Sequence, residues 1–288
     1  MIMPVEPPPP SNGHNPGLEP RVYPLISPQG QPEHLSASSI KDYLGCSLRF
    51  YFRRVAGLPE PTTASLHLGK AVHAGIQAYH QARWRETDAS AEAIVQRYRE
   101  AFARLEQDDG PVAFAPGERE ASLEKGETVL RAYLESPHAA NQAKPLGVEV
   151  RLEETFPEFP IPLLGYVDLV SSGPVPVDFK TCAATPQLDL EVFLHELQLT
   201  TYQLLIEAAT GEPVKARELV FLVKTRNPKI VAHRIAPASQ ADYDRFWALA
   251  WAVYEGIRQE RWMPQPGMHC GWCAFRSECA RWTGGKHD

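Results

Sequence analysis

The sequence predicts a mixed α/β core that carries a helical N-terminal arm. Two observations lead there. Apolar residues recur at helical spacing through the first half of the chain, and from Gly147 onward the texture changes to short alternating runs broken by one long helix. The resulting order is helices, three strands, a helix, two strands and a helix, which suits one sheet covered by helices. With 288 residues the chain is long enough for one large domain with a substantial core.

Each element has its own local reason. Residues 1–33 are rich in proline, including the run at 7–10, and cannot bury a core, so a disordered tail is expected there. The remaining 34–288 divides into a helical arm over 34–145, an α/β core over 146–262 and a cysteine-bearing tail over 263–288. Serines at 36, 38 and 39 can cap a helix whose apolar face holds Ile40, Tyr43 and Leu44, and Gly45 should end it. A short aromatic and basic helical stretch follows over 48–55, then helices over 66–85, 89–105 and 118–134. Strands are expected at 148–156, 163–170 and 175–180, with Gly173-Pro174 as the turn between the last two. A helix over 190–209 leads to strands at 218–224 and 230–235, which turn at Asn227-Pro228. The last long helix, 240–260, carries Tyr243, Phe246, Trp247, Trp251 and Tyr254, a stripe that reads as core, and Pro264 and Pro266 follow it.

Charge narrows the function. A net charge of −6 argues against a non-specific nucleic-acid coat but leaves room for an enzyme with a local basic channel. Two basic stretches could line one. Lys215, Arg217, Lys224, Arg226, Lys229 and Arg234 face one acid, Glu218; Lys41, Arg49, Arg53 and Arg54 face Asp42. Both also fit a solvated surface. No apolar run approaches the roughly 20 residues of a membrane span, and the N-terminus has neither a basic start nor an apolar segment, so a cytoplasmic protein is expected.

The most informative stretch is Gly165-Tyr166-Val167-Asp168 followed by Val177-Asp178-Phe179-Lys180-Thr181. Asp178 and Lys180 lie two apart and project from one strand face, and the hairpin should bring Asp168 beside them. Phosphodiester hydrolysis needs this combination. Two carboxylates can hold a hard divalent cation, which polarises the phosphoryl oxygen and acidifies a bound water. A lysine can orient that water or stabilise developing charge. Acids and lysine in otherwise hydrophobic strands are costly unless paired or functional.

These residues resemble motifs II and III of the PD-(D/E)XK nuclease superfamily in its RecB-like branch. Gly69-Lys70-Ala71-Val72-His73 resembles that branch's G-x-x-x-H helix, and Gln198-Leu199-Thr200-Thr201-Tyr202 its Q-x-x-x-Y helix. All stand in the family's order. The resemblance implies a restriction-endonuclease-like α/β fold and a metal-dependent DNA nuclease using Mg²⁺ or Mn²⁺. His73, Asp168, Asp178 and the Phe179 carbonyl would be metal ligands, and Asp168, Asp178 and Lys180 the catalytic set. Gln198 and Tyr202 share a helix face and would hold a phosphate or the lysine; ordinary helix packing is the alternative. Glu149 sits where the family often has a strand acid, and an exposed strand glutamate is an equal reading. His67 and His80 lack the pattern and read as structural.

Five cysteines are present, and an odd count argues against a disulfide framework. Cys270 and Cys273 form C-x-x-C, Cys279 follows, and Cys46, far upstream, is the natural fourth ligand. That arrangement resembles the iron–sulfur members of the same branch, such as the AddB nuclease domain and the CRISPR-associated cluster exonucleases. It implies a 4Fe–4S centre tying the two ends together; zinc at the same four thiols stays open. Cys182 reads as a small buried residue.

The expected function is a DNA nuclease, on balance an exonuclease on ends or single strands in repair, recombination or related DNA processing. The alternatives are a non-catalytic DNA-binding or assembly subunit of a helicase–nuclease complex, and a zinc-stabilised hydrolase of another phosphate ester. No G-x-x-x-x-G-K-[ST] loop is present, so any translocation must come from a separate helicase-type partner.

Overall fold

The computed structural model describes residues 27, 32–108, 110–140 and 143–284, so the expected N-terminal tail lies almost wholly outside the described residues. The helical arm opens with α1 (Ala37–Gly45), which starts at Ser36 in a reciprocal capping box with Ser39 and ends at Cys46. A single turn, α2 (Ser47–Phe50), runs into a wider π turn over Tyr51–Val55. Three longer helices follow: α3 (Ala64–Arg85), α4 (Ala91–Asp108) and α5 (Glu118–Leu134), the last leading to the short α6 (Pro137–Ala140). A pair of two-residue strands, β1 (Thr62–Thr63) and β2 (Val112–Ala113), clips the start of α3 to the loop after α4. These strands are too short to show an alternating pattern in the sequence.

The core sheet has five strands: β3 (Gly147–Glu154), β4 (Leu163–Ser171), β5 (Val175–Cys182), β6 (Arg217–Val223) and β7 (Lys229–Ile235). They lie in sequence order, antiparallel except for the parallel pair β5 and β6. A parallel pair needs a crossover, and α7 (Leu188–Thr210) supplies it. The last long helix, α8 (Gln240–Arg258), is followed by a 3₁₀ turn over Met268–Trp272 and by α9 (Arg276–Arg281). This is a restriction-endonuclease-like fold.

Alternation along β5 and β6 divides the core. Val177, Phe179, Val220 and Leu222 join the apolar cluster of α3, α4 and α5. Leu219 and Phe221 pack with Leu199 of α7 on the other face. Asp178 and Lys180 therefore face the α7 side. Phe246 of α8 is buried with Leu35, Phe50 and Leu163, and Trp247 and Tyr254 pack against that cluster, so the aromatic stripe is largely core; Trp251 stays partly exposed. Among the described residues no helix is long and apolar enough to cross a membrane.

Candidate active site

Two irregularities of the sheet create the site. The β4–β5 ladder pairs Ser171 with Val175, Val170 with Pro176 and Leu169 with Val177, and stops there. The next backbone donor on β5, the Phe179 N–H, is taken by the Asp168 carboxylate at 2.9 Å. Beyond that point the two strands part, and β5 continues against β6 alone. On the other side of Asp168, the β3–β4 ladder pairs Val148 with Leu169 and Val150 with Val167 but skips the pair between them. The residue opposite Asp168 is Glu149, whose φ of 51° lies in the left-handed region. A glutamate held there is strained, and such strain gathers at functional sites. The face alternation of β4 slips at this point too. Val167 clusters with Tyr202 and Ile206, while Leu169, two residues on, clusters with Val72 and Ile76.

Helix α7 closes the site from one side. Gln198 is the hub: its amide donates to Asp178 Oδ1 at 2.9 Å and to the Tyr202 hydroxyl at 2.7 Å, and its carbonyl accepts from Lys180 Nζ at 3.0 Å. Lys180 Nζ also lies 2.8 Å from Asp178 Oδ2. Gln198 contacts the lysine directly, and Tyr202 reaches it only through the Gln198 amide. Gly165 makes the approach of α7 possible, because a Cβ there would stand 2.6 Å from Leu205 Cδ1. Helix α3 closes the other side. His73 Nδ1 reaches to 3.5 Å from Asp168 Oδ2, and Gly69, one turn earlier, lies where a Cβ would come within 3.2 Å of Thr181 Oγ1. The expected constellation of His73, Asp168, Asp178, Lys180, Gln198 and Tyr202 is therefore brought to one place.

Electrostatics follow from the burial. Asp178 is only 1% exposed, and burial holds its carboxyl above the usual carboxylate range; Lys180 pulls it down, and Asp168 pushes it further up. Glu149 has its surface open to solvent, yet the protein massed around its carboxyl, and then the charge of Asp168, push it up to about 7. The Tyr202 phenol stays protonated, raised by burial and by the two aspartates.

The donor set fits a divalent cation. Asp178 Oδ2 is buried and accepts no hydrogen bond; it has Lys180 close by, without hydrogen-bond alignment. A carboxylate oxygen left in that state suits a hard cation, with Asp168 and the His73 imidazole nearby. As it stands, no group of three or more His, Cys, Asp or Glu among the described residues is arranged to hold a metal ion.

The four cysteines of the pattern are all free and line one cavity of about 220 Å³, with walls of Leu48, Phe52, Pro264 and Phe275. The Cys279 thiol is raised by burial and by the other three sulfurs. Protein contacts already join the two ends here. Ser47 Oγ donates to the Met263 carbonyl at 3.2 Å, and Leu48 N to the same oxygen at 3.1 Å. Cys182 is half-buried rather than buried.

Other sequence expectations shift. Arg217 is no phosphate contact: it is buried, and donates to the Ala236 carbonyl at 3.0 Å and Thr200 Oγ1 at 3.4 Å. Arg49, Arg53 and Arg54 are bound by Glu60 and Asp42. His67 and His80 are buried, His80 against the Tyr133 hydroxyl at 2.7 Å, in keeping with structural roles. The residue that motif reading missed is His195, one turn before Gln198 and 3.4 Å from Glu191. Its helical spacing from Gln198 was the available signal. Burial, and then Lys180, lower its pKa to about 4, so at neutral pH it is an uncharged imidazole.

The family model of the PD-(D/E)XK nuclease superfamily matches residues 34–280. This chain belongs to the PD-(D/E)XK nuclease superfamily. Its members are hydrolytic nucleases that generally use Mg²⁺ or Mn²⁺. The fold also aligns with the crystal structure of a candidate exonuclease from Eubacterium rectale, at 12% identity and a TM-score of 0.56, over 89% of this chain and 90% of that one. At that identity the likeness speaks for the fold. A second solved structure, SSO0001, aligns at 17% identity over 85% of this chain and 95% of that one, with a TM-score of 0.36 that carries no argument. No curated protein matches the sequence.

Proposed function

We propose that this PD-(D/E)XK chain is a metal-dependent deoxyribonuclease, acting as an exonuclease on DNA ends or single strands in repair, recombination or related processing. The observation that carries the reading is the Asp178–Lys180–Gln198 network standing beside an Asp168 that caps the parting of β4 and β5. Residues 34–288 would act as one nuclease domain. Asp168, Asp178 and His73, with the Phe179 carbonyl, would hold Mg²⁺ or Mn²⁺, which when bound polarises the phosphoryl oxygen and acidifies water.

The chain's own groups do the rest. Lys180, held by Gln198 and Asp178, would offer a fixed ammonium to a phosphate oxygen as it gains charge, with little reorganisation during reaction. Tyr202 holds the Gln198 amide from behind. Glu149, raised by the protein around it and by Asp168, adds a third carboxyl beside the proposed metal ligands.

At the other end, Cys46, Cys270, Cys273 and Cys279 would hold a 4Fe–4S cluster. The four thiols line one cavity of about 220 Å³, and their spacing along the chain resembles the iron–sulfur members of the branch more than a local zinc site. The cluster would reinforce the Ser47–Met263 junction.

The test is cleavage of labelled linear single- and double-stranded DNA by protein purified without oxygen, in Mg²⁺, Mn²⁺ or chelator. Metal-dependent cleavage that disappears in Asp178→Ala and Lys180→Ala is expected, and the products give polarity. A folded, cluster-loaded wild type that cuts nothing would remove the stand-alone enzyme, leaving a DNA-binding subunit or a nuclease that works with a helicase partner.

A further inference from the structure

Beside the catalytic cluster, a groove of about 480 Å³ runs between the start of α1 and the first half of α7. Gln198 and Tyr202 are among its lining residues, so it adjoins the site. Three features mark it. Tyr166, two residues before Asp168, is 40% exposed, and its ring stacks on no other ring among the described residues. Lys41 reaches the groove with only the Leu194 carbonyl, at 3.4 Å, as partner; no acid faces it among the described residues, whereas neighbouring Arg54 is tied to Asp42 at 2.9 Å. His195 and Ser38 add polar atoms, and Leu194 an apolar surface.

We propose that this groove holds a single-stranded polynucleotide leading away from the scissile phosphate, with a base stacked on Tyr166 and a flanking phosphate on Lys41. The proposal rests on the nuclease reading above and names its substrate form. A single strand offers what the groove complements: free base faces alternating with phosphates. A duplex hides all but its terminal base faces in the stack and offers Tyr166 far less to meet. The volume is that of a small-ligand pocket, on the scale of a nucleotide unit.

Binding measured by fluorescence anisotropy in chelator tests it, because nothing is cut. The probes are labelled oligothymidine, the matching RNA and a blunt DNA duplex. The wild type should prefer the single strands. Tyr166→Ala should weaken that binding by about five- to a hundred-fold, and Tyr166→Phe should retain it. Lys41→Gln should reduce the dependence of log affinity on log salt by about 0.7. RNA held more tightly than DNA would keep the groove and change the sugar it serves. Binding unchanged in both Tyr166→Ala and Lys41→Gln, or a duplex bound more tightly than the single strand, would overturn the proposal. The two readings fail separately. An inert protein whose binding still depends on Tyr166 keeps the groove and loses the catalysis, whereas an active one with indifferent variants loses the groove alone.

Discussion

Asp168 accepts the Phe179 backbone N–H at 2.9 Å, so the side chain of one strand completes the ladder of the next. That contact gives Asp168 two separable duties: it ends the β4–β5 pairing, and it places a carboxylate at the mouth of the cleft.

Substitution separates them. Asp168→Asn keeps an oxygen acceptor for the Phe179 N–H, so unfolding should change little while cleavage falls at least a hundred-fold. Asp168→Ala should lose the same activity and also about 1–2 kcal/mol of stability, because a partly buried donor is left without a partner. Urea unfolding alongside the cleavage assay reads both. Equal stability of the two variants would deny the hydrogen bond its structural part.

Gly165 controls the approach of α7. In Gly165→Ala the new Cβ meets Leu205 Cδ1, which is fully buried and has nowhere to turn. A loss of about 1–3 kcal/mol is expected, with reduced cleavage as Gln198 and Tyr202 shift. Adding Leu205→Ala should recover part of the activity by making room, and a double mutant no more active than the single would point to another cause.

His80 should make the fold acid-sensitive. It is buried, donates or accepts at Tyr133, and burial lowers its pKa to about 3 from an ordinary 6.5. Between those values the unfolded chain binds the extra proton and the folded one does not, so stability falls as pH drops from 6.5 toward 3. His195, lowered to about 4, acts in the same direction. His80→Gln preserves a bond to Tyr133 without a titrating group. Its stability should vary less steeply with pH over this window than that of the wild type, by a few kcal/mol at most. Parallel pH profiles would show that His80 does not carry the effect.

The cysteine cavity makes a prediction about composition. Cys46→Ser and Cys279→Ser should each lose iron and visible absorption together, since both line one cavity although they lie at opposite ends of the chain. Removing the proposed cluster should lower the melting temperature, yet leave the ends partly docked through Ser47 and Met263. A colourless protein carrying stoichiometric zinc would replace the cluster reading.

Arg217 offers a contrast with Lys41. Because Arg217 is spent on Ala236 and Thr200 inside the protein, Arg217→Met should cost stability and leave the salt dependence of DNA binding as it was. A reduced salt dependence would return Arg217 to the DNA-facing surface.

Much of this molecule was legible in the order of its residues. Helical and strand periods identify the arm, the core strands and the crossover helix, because those periods are set by local backbone geometry. Spacing also tied Asp178 to Lys180 and Gln198 to Tyr202, since residues two apart on a strand or four apart on a helix share a face. What spacing cannot reach is the relation between elements. That Gln198 grips Lys180, that Asp168 takes a backbone donor from β5, that Glu149 is forced to positive φ opposite it, and that Arg217 turns inward while Lys41 meets the Leu194 carbonyl all depend on how α7, α3 and α1 sit against the sheet. The two-residue strands β1 and β2 and the groove beside Tyr166 belong to the same class. The physical reason is common to them. Periodicity is a property of one segment, whereas burial, hydrogen-bond partners and charge environment are properties of the space between segments, and that space exists only once the chain has folded.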